Sequence, residues 1–154
     1  MIVHGCNCFC QMGAGIAKTI KQVFPAAYQA DLATVAGDQT KLDTYSVAQV
    51  DVPGRELVII NAYTQYQWRG AGLKADYEAI RRVFQSVKRA YAGRRIGYPA
   101  LGAGLAGGDW AIIAAIIEEE LAGEEHVFVQ WTKQLVGAAS APEPASRSKT
   151  AYAS

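Results

Sequence analysis

Two glycine-bearing stretches and a His–Asn pair near the N-terminus are where this chain's residue types and spacing could do chemistry. In Met12-Gly13-Ala14-Gly15-Ile16-Ala17-Lys18, small residues open a helical pattern straight after the apolar start Met1-Ile2-Val3. Gly13 and Gly15 carry no Cβ, so a ligand can approach the main chain closely, and the unpaired N–H groups of a first helical turn point outward. Those donors, with the positive end of the helix dipole, favour a phosphate. A second loop of the same kind, Gly102-Ala103-Gly104-Leu105-Ala106-Gly107-Gly108, follows another strand-like run and precedes another helix. Two such loops facing each other suit a pyrophosphate. His4 suits protonation of a leaving sugar oxygen or attack on phosphorus, since imidazole titrates near neutrality. The alternative is a core histidine hydrogen-bonded inside a sheet. Asn7 offers a donor and an acceptor to a ligand, or it is a turn residue bonding its own backbone.

Several chemistries are disfavoured. Neither loop supplies the lysine and hydroxyl that follow the last glycine of a Gly-x-x-x-x-Gly-Lys-Ser/Thr phosphate loop, so nucleoside triphosphate hydrolysis is not expected. The third glycine of Gly-x-Gly-x-x-Gly is missing after Gly13-Ala14-Gly15, which makes the pattern weak for NAD. Cys6, Cys8 and Cys10 form an odd, alternating set unlike a secreted disulfide framework, and no second Cys/His pair completes a four-ligand zinc site. Reduced thiols without disulfide partners are expected, with no metal and no cofactor. The chain has 154 residues, 51% of them hydrophobic, which is enough for one core and too little for two ordinary domains. Its formal charge of +1, from 15 basic and 14 acidic residues, gives no bulk attraction to nucleic acid. With no signal segment and no run near the roughly 20 apolar residues of a membrane span, a cytoplasmic protein without membrane contact is expected.

The elements that must position these residues follow from periodicity. Residues 2 to 7 read as a strand, Gly15 to Phe24 as a helix with Ile16, Ile20, Val23 and Phe24 on one face, and Ala26 to Val35 as a second helix. Tyr45 to Val52 alternates as a strand should, and Leu57 to Ile60 is continuously apolar, as in a central strand covered on both faces. Ala75 to Tyr91 is the clearest helix. Arg95 to Leu101 runs as a strand into the second glycine loop, Asp109 looks like a helix cap, and Ile112, Ile113, Ile116, Ile117 and Leu121 make an apolar stripe. Val127, Val129 and Trp131 alternate in a last strand. From about Val136 onward Ala, Ser, Pro and Lys predominate, so the reading is a domain over 1–133 and a disordered tail over 134–154. Strands alternating with helices describe a three-layer α/β/α domain, with both loops on the crevice beyond the carboxyl ends of the strands.

The run His4-Gly5-Cys6-Asn7-Cys8, followed by Gln11-Met12-Gly13-Ala14-Gly15-Ile16-Ala17 and Phe24-Pro25-Ala26-Ala27-Tyr28, resembles the start of a macro domain. Gly102-Ala103-Gly104-Leu105-Ala106-Gly107-Gly108-Asp109-Trp110 is similar to that family's second phosphate loop, about 90 positions further on. The resemblance covers roughly residues 2 to 131. It implies a mixed central sheet between helices and a cleft for ADP-ribose, and within the family it is nearest the branch that removes phosphate from ADP-ribose 1''-phosphate. On this resemblance the partners are ADP-ribose, its 1''-phosphate and ADP-ribosylated macromolecules. The other readings are an ADP-ribosyl hydrolase and a reader without turnover.

The resemblance also assigns roles. Met12, Gly13, Ala14, Gly15 and Ile16 would serve one phosphate, and Gly102, Ala103, Gly104, Leu105 and Ala106 the other phosphate and the distal ribose. Asn7 would meet that ribose's hydroxyls. His4 is the first catalytic candidate, with Asn7 beside it and Asp109 orienting His4 or a water, against plain capping for Asp109. Tyr63, read as following the central strand, and Tyr66 or Trp68 would cover a ribose or adenine; the 65–72 segment is a lid or an ordinary connection. Two departures stand out. The branch that uses a lysine nucleophile and an aspartate has Gln65 and Ala106 at those positions here, and neither can do that chemistry. The family's usual first strand, with its adenine-binding acidic residue, is expected to be lacking.

Overall fold

In the computed structural model the described residues are 1–130, so Trp131 and the tail expected over 134–154 lie outside them. In chain order the elements are β1 (Ile2–Asn7), α1 (Gly15–Val23), α2 (Pro25–Leu32), a 3-10 turn at Gln39–Lys41, β2 (Tyr45–Val52), β3 (Arg55–Gln65), α3 (Tyr77–Ala90), β4 (Ile96–Tyr98), α4 (Trp110–Glu120) and β5 (His126–Phe128). The strands form one sheet in the order β2-β3-β1-β4-β5. β2 is antiparallel to β3, and the other pairings are parallel, so the sheet is mixed. Among the described residues no helix is long and apolar enough to cross a membrane.

The apolar run of β3 explains the layers. Leu57 and Ile59 point to the face covered by α1 and α2, where they meet Ile20 and Ala27, while Val58 and Ile60 point to the other. There Ile80, Val83, Phe84 and Val87 of α3 and Ile113 and Ile117 of α4 complete the larger core. Ile113 and Ile117 are fully buried, and truncating either to Ala should cost roughly 2–5 kcal/mol. Asp76 and Asp109 start α3 and α4 by accepting the N–H groups of Ala79 and Ala111 at 2.9 and 2.8 Å. Asp109 is therefore a cap, and its own N–H donates to the Tyr77 hydroxyl at 2.9 Å.

β3 runs five residues past the expected end at Ile60. The polar residues that hid this extension are hydrogen-bonded inside. Asn61 Nδ2 donates to Ala27 O at 2.8 Å and to Ser46 Oγ at 3.0 Å. Ser46 Oγ lies 2.9 Å from the Tyr63 hydroxyl, which donates to Asp31 Oδ1 at 2.7 Å. Tyr63 is thus within the strand and 1% exposed, not over a ligand. Conversely α2 stops at Leu32, short of the expected Val35, because the Thr34 hydroxyl and N–H both donate to Asp31 O, at 2.6 and 3.0 Å.

His4 belongs to the same interior chain of polar groups. It is fully buried, and its Nε2 lies 2.8 Å from Asn61 Oδ1. Since Asn61 Nδ2 is committed elsewhere, that contact puts the proton on His4 Nε2. The catalytic expectation for His4 therefore does not match its placement: the imidazole packs beneath α2 as a satisfied core residue. Burial lowers its pKa from 6.5 to about 4, against the opposing pull of the Asn61 bond and the Asp31 charge.

The native state keeps His4 neutral while the unfolded chain takes up a proton near pH 6.5. Stability from this group is present in full above that pH and is lost as pH falls toward about 4, by roughly 3 kcal/mol. Thermal melts across this range should show that slope, and His4→Gln should flatten it; an unchanged slope in the variant would clear the imidazole of responsibility.

Candidate functional site

The carboxyl ends of β1, β3 and β4 open on a cleft of about 830 Å³. β1 delivers Gly5, Cys6 and Asn7, β3 delivers Gln65, and the segment after β4 supplies Pro99 to Leu101; all of them line the cleft. The glycine loops close over it from both sides. A Cβ built on Gly15 would come within 3.9 Å of Leu105 Cδ1, so the two loops meet. Gly102 has a φ of +74°, and a Cβ there would press on Ile113 and Ile80 at 3.1 and 3.3 Å, which pins the second loop to the core. Gly13 and Gly104 instead face open space, with nothing within 4 Å of where a Cβ would stand.

Asn7 holds the first loop in shape. Its Oδ1 accepts from Phe9 N at 2.9 Å and Gln11 N at 3.4 Å, while its Nδ2 donates to Gln11 O at 2.9 Å. These bonds tie the chain on both sides of Cys10, whose φ of +57° is unusual for a residue with a side chain. The turn-residue reading of Asn7 is the one these bonds realise, and its side chain also lines the cleft. Among the described residues, the N–H groups of Gly13, Ala14, Gly104 and Leu105 enter no hydrogen bond inside the protein. In the second loop the N–H groups of Ala103, Gly107 and Gly108 are taken by Ala100 O, Gly104 O and Gly102 O.

Of the expected ligand residues, Asn7, Gly13, Ala14, Gly15, Ile16, Gly102, Gly104, Leu105 and Ala106 gather at the cleft. Met12 does not; it is 2% exposed and packs among Cys6, Cys8 and Tyr63. Ala103 packs toward the main core, and Asp109, His4 and Tyr63 sit elsewhere for the reasons given above. Gln11, Pro99, Phe128, Val129 and Gln130 line the cleft without having been singled out from the sequence. Their signal was positional only, at strand ends beside the loops. Trp68 lines the far side, where Phe9 supports its ring edge-on at 5.6 Å and Arg69 lies over it at 4.9 Å.

No charged side chain lines the cleft among the described residues. An anion in this cleft would meet neutral main-chain dipoles in a partly enclosed space, where they act more strongly than in water. Proton transfer is poorly served, because burial pushes the Cys6 thiol well above its ordinary pKa. A second, mainly apolar pocket of about 300 Å³ adjoins between α1 and the sheet. It includes Ile2, Ile20 and Phe24 and shares Ile16, Pro99 and Val129 with the cleft. All three cysteines are free and buried.

Comparison with known proteins agrees with this architecture. An uncharacterized 17.5 kDa protein from the tk-vs intergenic region of Enterobacteria phage T4 is 35% identical over 135 residues, spanning 84% of this chain and 85% of the phage protein. The macrodomain of Thermus aquaticus DarG superposes with a TM-score of 0.68 at 25% identity, covering 83% of this chain and 87% of its own. Thermosipho africanus DarTG, solved in complex with ADP-ribose, superposes with a TM-score of 0.65 at 15% identity, over 88% of this chain and 39% of that one. The family model for the macro domain matches residues 3–117, and with a mixed sheet and paired glycine loops in place, the chain belongs to the macro domain family.

Proposed function

We propose that the cleft binds ADP-ribose, free or attached to a macromolecule, with the diphosphate held by main-chain N–H groups of both loops. The observation that carries this reading is the pairing of unoccupied donors at Gly13, Ala14, Gly104 and Leu105 across a cleft without charged side chains. The apolar pocket at Ile16, Pro99 and Val129 suits a flat heteroaromatic base, and the opposite end at β3 suits a ribose. The ADP-ribose held by the Thermosipho africanus protein supports the choice of ligand.

A second reading adds turnover, the removal of phosphate from ADP-ribose 1''-phosphate. It is supported by the His4-Gly5-Cys6-Asn7-Cys8 run and by the room that the cleft leaves toward Trp68 and Gly70. With His4 sealed in the core, water attacks phosphorus as the bond from phosphorus to the 1'' oxygen breaks, the loop amides stabilise charge on the phosphoryl oxygens, and a proton of the attacking water passes by way of those oxygens to the leaving sugar oxygen, giving ADP-ribose and inorganic phosphate. Release of inorganic phosphate at equal rates by the parent and His4→Gln fits that route. Loss of release in a variant that still binds would return the imidazole to catalysis, and no release from either leaves a binding module.

Two substitutions test the binding claim. Asn7→Ala leaves loop groups unpaired at roughly 1–3 kcal/mol each, and should weaken ADP-ribose at least tenfold in calorimetry. Gly13→Val, built into open space at an ordinary φ, should change stability by no more than about 0.5 kcal/mol yet obstruct the ligand. Undiminished affinity in Gly13→Val would place the ligand elsewhere.

A further inference from the structure

We infer that Cys10 and Lys41 form an oxidative modification site, at which hydrogen peroxide joins the thiol and the amine through one bridging oxygen. The two residues come from the first loop and from the 3-10 turn before β2, and neither lines the cleft. Lys41 Nζ donates to Cys10 Sγ at 3.4 Å, and both residues are buried. The sulfur is held in place from the other side, donating to Asp31 O at 3.2 Å and lying 3.5 Å from Thr34 Oγ1. The other two thiols lack such a neighbour: Cys6 lies against His4, and Cys8 donates to Gln65 O. Burial pushes the Cys6 thiol well above its ordinary pKa and the Cys8 thiol up to about 11, which makes both poor nucleophiles toward peroxide. At Cys10 a cationic nitrogen stands at the sulfur instead.

Before that nitrogen can react, its ammonium must lose a proton. Asp31, fully buried, places Oδ1 3.7 Å from Lys41 Nζ, and its Oδ2 has no hydrogen-bond partner among the described residues. The carboxylate is the acceptor at hand, and transfer leaves two neutral groups where a buried ion pair stood. The first peroxide then gives one oxygen to Cys10, making a sulfenic acid, and leaves as water. A second peroxide gives one oxygen to the free amine, making a hydroxylamine, and leaves as another water. The hydroxylamine oxygen attacks the sulfenic sulfur, whose hydroxyl departs with the hydroxylamine proton as a third water. Sulfur and nitrogen are each oxidised by two electrons, both peroxides are reduced, and an N–O–S link remains. The link staples the first loop, at the residue with a φ of +57°, to the turn that precedes β2.

Peptide mapping of the full chain after hydrogen peroxide treatment tests the site. Without reductant, the peptides carrying Cys10 and Lys41 should appear joined, with the mass of the pair plus one oxygen less two hydrogens. Dithiothreitol should release them unmodified. Lys41→Arg, which keeps a cation beside the thiol, should stop at a Cys10 sulfenic acid that dimedone traps. The map of the parent decides by itself should that variant fail to fold. Oxygen gained at Cys6 or Cys8 in place of Cys10, a joined pair without the added oxygen, a Cys10 sulfinic acid beside an unmodified Lys41, or no change at either residue would each overturn the assignment.

Discussion

In the proposed complex a diphosphate is held in this cleft without the help of any charged side chain among the described residues, and that constraint falls on the loops around it. Neutral N–H dipoles suffice only if they are fixed in direction and kept free of internal acceptors. The loops therefore need other means of holding their shape. In the first loop that role falls to the Asn7 carboxamide, and in the second to Gly102 pressed against Ile80 and Ile113, with the N–H groups of Gly107 and Gly108 turned back into the loop. What remains unbonded at Gly13, Ala14, Gly104 and Leu105 is the set of donors on which the proposed binding relies.

The sheet supplies the rigidity behind this arrangement. β1 is flanked on both sides, so its last residue is delivered to the cleft from the middle of the sheet. Beneath α2 a continuous chain of hydrogen bonds runs from His4 through Asn61, Ser46 and Tyr63 to Asp31. Such a chain costs desolvation and returns specificity of packing, because each member fixes the next. Asp31 also pairs with buried Lys41 at 3.7 Å, yet its Oδ2 has no hydrogen-bond partner among the described residues. A polar interior of this kind locks α2 onto β2 and β3, and it holds His4 and Tyr63 buried within the sheet.

Much of this was legible in the sequence because glycine loops, capping aspartates and apolar periodicity are local signals. The mixed sheet between helix layers, the two loops and nine of their lining residues followed from them and from the family resemblance. What failed to show was tertiary. Asn61 and Tyr63 look too polar to continue a buried strand until partners on α2 and β2 satisfy them, which is why the apolar run alone ends β3 early and leaves Tyr63 outside it. His4 has the chemistry of a catalyst, and only its burial and its bond to Asn61 reveal a structural role. The bulge between β1 and β3, which sets Gln65 beside Asn7, has no signature in either strand alone.

The most direct test is to follow backbone amide resonances while ADP-ribose is added. Large downfield movement of the N–H signals of Gly13, Ala14, Gly104 and Leu105, with the amides of β2 and of the outer face of α3 nearly still, is the expected result. Saturation with those four signals unmoved, or movement concentrated on another surface, would contradict a ligand held by the two loops.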